Sequence, residues 1–257
     1  MELDFPYGKT EITVEEYEGQ IDAEEIADHL AEGTTGDPAP RVESFIYTMP
    51  QFLDWLDSSG RDYPWRHTTD PWRVYATEIL LQRTRADAVA NIYEGFFDRF
   101  PSPNALMKSN DEMIYTQIKS LGFGNQRTRS LKEAAELCVT QYDGTVPADL
   151  DALQQPWRVG PYSARACLLF AFNQPISLVD SNIARIIERV FGYQMPNQPH
   201  KKDSVYELVD TLIPDTPELA RSITFAFLDL GALICTEPHP KCNECPLNSC
   251  CLFTEPL

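Results

Sequence analysis

Three features of this 257-residue chain predict an all-α fold. Apolar residues recur at spacings of three and four, Pro and Gly fall between those runs, and no alternating run has the length or neighbours to make a sheet. The first candidate helix is short, Asp22 to Glu32, with Asp22 as its cap and Ile26 and Leu30 on one face. A loop rich in Gly, Thr and Pro follows from Gly33 to Pro40, and 1–40 as a whole reads as an acidic extension outside the main core. From Arg41 the helical pattern is nearly continuous. Phe45, Met49, Phe52, Leu53 and Leu56 mark one helix, and a longer run goes from about Trp72 to Phe100. Further runs cover about 111–121, 127–142, 161–172, 181–191, 202–213 and 217–234. Between them stand Pro101 and Pro103, Gly122 and Gly124, Gly144 and Pro147, Gly160, Pro175, Pro196 and Pro199.

Composition narrows the function classes. No stretch reaches the roughly 18 apolar residues of a membrane span, and Met1 to Thr10 lack the segments of a signal peptide, so a cytoplasmic protein is expected. A net charge of −18 argues against nucleic acid, because phosphate is held by Lys and Arg. Its distribution softens that objection. Residues 1–40 carry −11 with Lys9 as their one basic residue, while the remaining 217 carry −7 and hold 20 of the 21 basic side chains. Arg outnumbers Lys by 14 to 7, and an acidic, Lys-poor chain suits a prokaryote living in strong salt.

Five of the seven cysteines crowd into the last 23 residues, a poor disulfide framework and a good metal site. Cys235, Cys242, Cys245 and Cys251 read C-x6-C-x2-C-x5-C, and their soft thiolates suit an iron–sulfur cluster or zinc. A zinc ribbon pairs two short knuckles across a longer loop, whereas this motif has one. Cys250 is a spare thiol, and Cys138 and Cys167 lie in apolar helical patterns as core residues.

Two carboxylates stand out locally. Asp180 follows an apolar run and opens a helix, where the dipole favours its ionised form, although such an Asp often does no more than cap. Glu78 falls between Val74 and Leu81, where partial burial raises a carboxyl pKa and suits it to acid catalysis; a solvated helix face is the plainer alternative.

The cysteine tail, together with Tyr63-Pro-Trp-Arg66, Thr77-Glu-Ile-Leu-Leu-Gln-Arg-Thr84, Leu121-Gly-Phe-Gly-Asn-Gln-Arg127, Val159-Gly-Pro-Tyr162 and Val179-Asp180 in that order, resembles the endonuclease III superfamily of helix-hairpin-helix DNA glycosylases (HhH-GPD) over roughly residues 45–255. Within it, the chain looks most similar to the mismatch thymine/uracil and A/G-mismatch adenine glycosylases. The resemblance implies two helical lobes, a six-helix lobe at 73–174 ending in the hairpin, and a second combining 41–72 with 175–257. The second would hold a [4Fe–4S] cluster on the four cysteines. Double-stranded DNA with a mismatched or deaminated base would bind a monomer in the cleft between them, the target nucleotide flipped out. Asp180 would stabilise the sugar cation of base removal, Glu78 would protonate the departing base or position a water, and Gln82 and Arg83 would probe the gap left behind. Val159-Gly160 would form the hairpin turn that grips phosphate.

Two departures from the family pattern are informative. The first glycine of the hairpin is Arg158, which implies a remodelled turn with Arg158 on a phosphate, or a weaker grip. Where bifunctional members carry a Schiff-base lysine stands Tyr162, and no lysine occurs between Lys132 and Lys201, which implies base removal without strand cleavage. Tyr162, which would help shape the base pocket, and the Asn125-Gln126-Arg127 run, which would contact DNA, resemble the thymine/uracil branch. Six residues follow Cys251, too few for the C-terminal domain with which many adenine glycosylases recognise 8-oxoguanine. The rival readings are an adenine glycosylase, a non-catalytic damage-binding protein, and a zinc-bearing adaptor.

Overall fold

The computed structural model describes residues 8–253. Residues 1–7, on which part of the expectation about the N-terminus rests, lie outside that range. Helices dominate, and no β-strand occurs among the described residues. Among the described residues no helix is long and apolar enough to cross a membrane. The chain divides into a discontinuous unit, residues 8–61 and 175–253, and a continuous unit, 62–174.

The discontinuous unit begins with α1 (Val14–Glu18) and α2 (Ala23–Ala31). Thr13 and Glu16 form a reciprocal capping box on α1, and the Asp22 carboxylate accepts the Glu24 and Glu25 amides, as the sequence predicts for a cap. The expectation of an arm outside the core fails here. Tyr17, Ile26 and Leu30 are fully buried, and the Tyr17 hydroxyl donates to Leu212 O at 2.9 Å. Each buried aliphatic side chain stabilises docking by ~1.5–3 kcal/mol, enough to hold down a segment whose charges stay on its outer face. Helix α3 (Ala39–Ser59) carries the expected stripe of Phe45, Met49, Phe52, Leu53 and Leu56, all fully buried.

The continuous unit runs α4 (Pro71–Leu81), α5 (Ala86–Ala90), α6 (Tyr93–Arg99), α7 (Pro103–Lys108), α8 (Asp111–Ile118), α9 (Gly124–Gln141), α10 (Leu150–Leu153) and α11 (Pro161–Phe172). Two short 3-10 turns, Pro64–His67 and Lys119–Leu121, complete the unit. Helix α4 is apolar nearly all round, so it is central, packed on α9 and α11. The run expected from Trp72 to Phe100 is broken after Leu81, because Arg83 adopts φ 54° and the Gln82 carbonyl and Thr84 hydroxyl both accept from the Arg127 side chain. Pro103, read as a breaker, instead occupies the first turn of α7 behind the Ser102 cap, where a missing N–H costs nothing.

The chain then returns to the discontinuous unit with α12 (Ser181–Phe191), α13 (Asp203–Asp210) and α14 (Pro217–Leu233). Helices α12 and α14 close the core over α3. Phe45 meets Phe191 edge-on at 5.1 Å, and Phe52 meets Phe227 edge-on at 5.3 Å. Fully buried Asp229 accepts both the backbone amide and Nε of Arg61 at 2.7 Å, so its charge is paired rather than stranded.

Candidate functional site

In the discontinuous unit, Asp180 caps α12. Its Oδ1 accepts the amides of Asn182 (2.9 Å) and Ile183 (2.8 Å), and its Oδ2 accepts Asn182 Nδ2 at 3.0 Å. Asn182 is held in turn by Arg185, whose Nη2 donates to Asn182 Oδ1 at 2.8 Å and to Gly231 O at 2.7 Å. Arg185 Nε donates to Cys235 O at 2.7 Å, so a continuous polar chain runs from the carboxylate to the cysteine loop. Gly231 makes this possible: a Cβ there would lie 2.4 Å from Cβ of Asn182. The helix start alone was expected to favour the ionised form of Asp180. Burial outweighs it: desolvation pushes the carboxyl above its ordinary value against the pull of the Ile183 and Asn182 donors and the Arg185 charge.

The cysteine loop lies in the same unit. Cys235, Cys242, Cys245 and Cys251 are all partly exposed, whereas Cys250 is fully buried, donates to Leu247 O and lies 3.6 Å from Thr48 Oγ1. Burial raises the Cys245 thiol, and the Cys235, Cys251 and Cys242 sulfurs raise it further, which marks the four as neighbours. Arg189 Nη1 donates to Cys235 Sγ at 3.3 Å, and Cys251 Sγ donates to Arg189 O at 3.3 Å. Four soft sulfur donors beside a guanidinium suit an anionic thiolate-bound group. Among the described residues, no three His, Cys, Asp or Glu side chains are gathered tightly enough to hold one metal ion.

In the continuous unit, Glu78 sits on α4, 7% exposed, and burial alone pushes its carboxyl up to about 8. It is not on a solvated face. The Cys167 thiol on α11 is near enough to be raised by Glu78, after the larger effect of its own burial. Gln82 closes α4 and donates from Nε2 to Arg158 O at 3.1 Å. Arg127 is buried (4% exposed) and donates to Gln82 O at 2.9 Å and Thr84 Oγ1 at 2.5 Å, so it braces the break after α4. Asn125 and Gln126 are exposed in the first turn of α9.

The hairpin turn differs from expectation in detail. Val159 is buried and its amide is spent on Pro156 O, and Gly160 has φ −105° with open space where a Cβ would lie. The left-handed residue is Arg158, at φ 62°. Its guanidinium pairs with Gln126 Oε1 and lies 5.0 Å over the Trp157 ring. Arg129 covers Trp157 as well at 4.5 Å, and the Trp157 amide and carbonyl are fixed by Glu133 and Ser130 at 2.7 Å each. Tyr162 is half-buried, second in α11.

Sequence reasoning missed Phe123. It is 52% exposed at φ 52°, with the Arg83 guanidinium 5.4 Å over its ring, and so offers a flat aromatic face on a bent loop beside the expected probing residues. It also missed Asn182, Arg185, Arg129 and Trp157, whose roles depend on partners distant in sequence. An aromatic between two glycines, Gly122 and Gly124, was the one local signal for Phe123.

A profile of the HhH-GPD superfamily base excision DNA repair proteins matches residues 76–212, which include the hairpin turn and Asp180. The chain belongs to this family. The HhH-GPD chain is 37% identical over 220 residues to a thymine/uracil-DNA glycosylase of Pyrobaculum aerophilum, covering 84% of this chain and 96% of that one. It is 32% identical to an adenine DNA glycosylase of Mycolicibacterium smegmatis, covering 78% of this chain and 67% of the relative. Among solved structures, a thermostable thymine-DNA glycosylase superposes with a TM-score of 0.76 at 33% identity, over 83% of this chain and 97% of that one. An endonuclease III bound to DNA matches with a TM-score of 0.67 at 22% identity, a likeness of fold.

Proposed function

We propose that this HhH-GPD protein is a monofunctional DNA glycosylase that hydrolyses the N-glycosidic bond of thymine or uracil opposite guanine in double-stranded DNA. The observation that carries the reading is 37% identity to a thymine/uracil-DNA glycosylase across nearly all of that relative, with Tyr162 standing where strand cleavage would need a lysine amine. The chemistry follows from the two carboxyls. Ionised Asp180, aimed by Asn182, stabilises the positive charge that grows on the sugar as the bond to the base lengthens. Glu78, whose carboxyl burial pushes up to about 8, carries its proton at neutral pH and offers it to the departing pyrimidine; water then adds to the sugar cation and its released proton reloads Glu78. Tyr162 shapes the base pocket. Arg83, Phe123, Gln126 and Arg158 meet the DNA around the extruded nucleotide, by cation–phosphate contact and stacking.

The test is a panel of duplexes carrying a single G·T, G·U or A·G pair, treated with alkali after incubation. Breakage of the thymine or uracil strand, absent before alkali, is expected. Breakage confined to the adenine strand would support the second reading, adenine removal opposite guanine or 8-oxoguanine, which the 32% identical adenine glycosylase favours. Specific binding with no base release would make the chain a non-catalytic damage binder. The acidic composition supports a salt-rich prokaryotic setting, with activity that persists where surface charge is screened.

Cys235, Cys242, Cys245 and Cys251 would hold a [4Fe–4S] cluster. Its contribution is structural, because fixing these thiolates fixes the C-terminal loop and, through the Cys235 carbonyl, the Arg185 side chain. Iron and sulfide analysis of anaerobically purified protein should find four of each, and loss of iron in Cys251→Ser but not Cys250→Ser. Colourless, zinc-loaded protein would favour the zinc alternative.

A further inference from the structure

Helices α1, α2 and α3 enclose a groove of about 540 Å³ that plays no part in the proposed reaction. A water occupies ~30 Å³, so the space takes several side chains. The floor is apolar: Val14, Ala27, Val42 and Ile46, ending at Tyr47, which is 63% exposed and is one of three large exposed hydrophobics among the described residues. The rim is uniformly acidic, with Glu18, Glu24, Asp28, Asp37 and Glu43 and no Lys or Arg among the lining residues. None of these five carboxylates is paired with a cation among the described residues.

The groove is a built feature. Tyr17, Ile26 and Leu30 pin α1 and α2 to the core, so its walls are fixed before anything binds. A fixed apolar channel between helices is the usual seat of an amphipathic helix. The charge selects which kind. Five like charges around the channel repel DNA, an anionic membrane surface and a second copy of this chain, whose net charge is −18. They attract a helix with aliphatic residues on one face and Lys or Arg flanking them.

We infer that this groove docks a basic amphipathic helical segment of a partner protein. Its apolar face lies on Val14, Ala27 and Tyr47, above buried Val42 and Ile46, and its cations meet the acidic rim. Because the groove uses none of the residues assigned to base removal, the inference stands apart from the proposed activity.

The probe is a fluorescein-labelled synthetic peptide with Leu at i, i+3 and i+4 spacing and Lys elsewhere, followed by anisotropy with the full-length protein. Saturable 1:1 binding that weakens with salt is expected. Ala27→Arg, which puts bulk and a like charge in the channel, should weaken it at least ~10-fold. Glu24→Gln and Asp28→Asn should each weaken it ~2- to 5-fold, whereas Glu136→Gln on α9 should leave it unchanged. Should Ala27→Arg unfold, as read by circular dichroism, the surface change Tyr47→Ala decides on the same criterion. The inference is overturned if the peptide fails to saturate, or if the groove variants bind like the wild type. Equal weakening by Glu136→Gln would likewise overturn it, by making the binding a response to net charge.

Discussion

Asp180 and Glu78 are carboxyls in different units, the first half-buried, the second buried and both raised in pKa, yet their surroundings differ in kind. Asp180 is met by two backbone amides and the Asn182 side chain, with Arg185 behind them. Around Glu78 the shift has one cause, burial, on a helix apolar nearly all round. Directed donors fix where a carboxylate points and oppose its protonation, while apolar walls fix whether it keeps a proton. One environment suits a charge held still against a developing cation, and the other a reservoir for a proton. The same contrast separates ways of failing: loss of the Asp180 charge should cost chemistry at unchanged stability, whereas loss of the Glu78 acid should cost chemistry and add stability at high pH.

The largest effect should come from Asp180→Asn. Asn caps a helix as well as Asp does, so the thermal midpoint should hold while single-turnover base release falls ~10³-fold or more. Full activity in this variant would break the comparison at its first half. Glu78→Gln comes next, with a loss of ~10²-fold and a change of opposite sign in stability. A carboxyl raised to about 8 binds its proton more tightly folded than unfolded. The stability it contributes is fully present below the unfolded pKa near 4.3 and is lost as pH rises through about 8, by up to ~1.4 kcal/mol per pH unit. Urea midpoints should therefore fall between pH 5 and 9 in the wild type and fall less in Glu78→Gln, which should be the more stable protein at pH 9. Equal slopes would mean that Glu78 is not proton-loaded by the fold.

A smaller change sharpens the first half. Asn182→Ala removes one donor to Asp180 and leaves the amides, so base release should fall ~10-fold while the acid limb of the pH–rate profile moves up. The sign follows from the lost donor, which favoured the ionised form. The smallest effect lies at the hairpin. Arg158→Gly relieves a side chain at positive φ and should stabilise the fold by ~1 kcal/mol, while duplex affinity drops and its dependence on salt weakens as one cation is lost.

The sequence reading succeeds where a residue's surroundings are local. The Asp22 and Asp180 caps and the bounds of α11 and α12 follow from residues within a turn of each other. It fails where distant partners decide. The helix expected to continue past Leu81 stops because Arg127, some forty positions later, claims the carbonyl of Gln82. Residues 1–40 look like a solvated arm because their charges dominate the count, yet three buried side chains suffice to dock α1 and α2. Arg127 has the composition of a phosphate ligand and the burial of a brace, and spacing alone cannot separate the two.

By itself, the order of residues determined the helical class and the family motifs, and singled out four cysteines and two carboxyls as candidates, because periodicity, capping and motif spacing are short-range properties. Tertiary structure decided what those groups are worth. It set Cys250 in the core and left its neighbours at the loop, put the strain of the hairpin on Arg158, exposed Phe123, and raised Asp180 despite its helix. Desolvation and hydrogen-bond supply depend on what the rest of the chain packs around a group, and that is settled only when the chain folds.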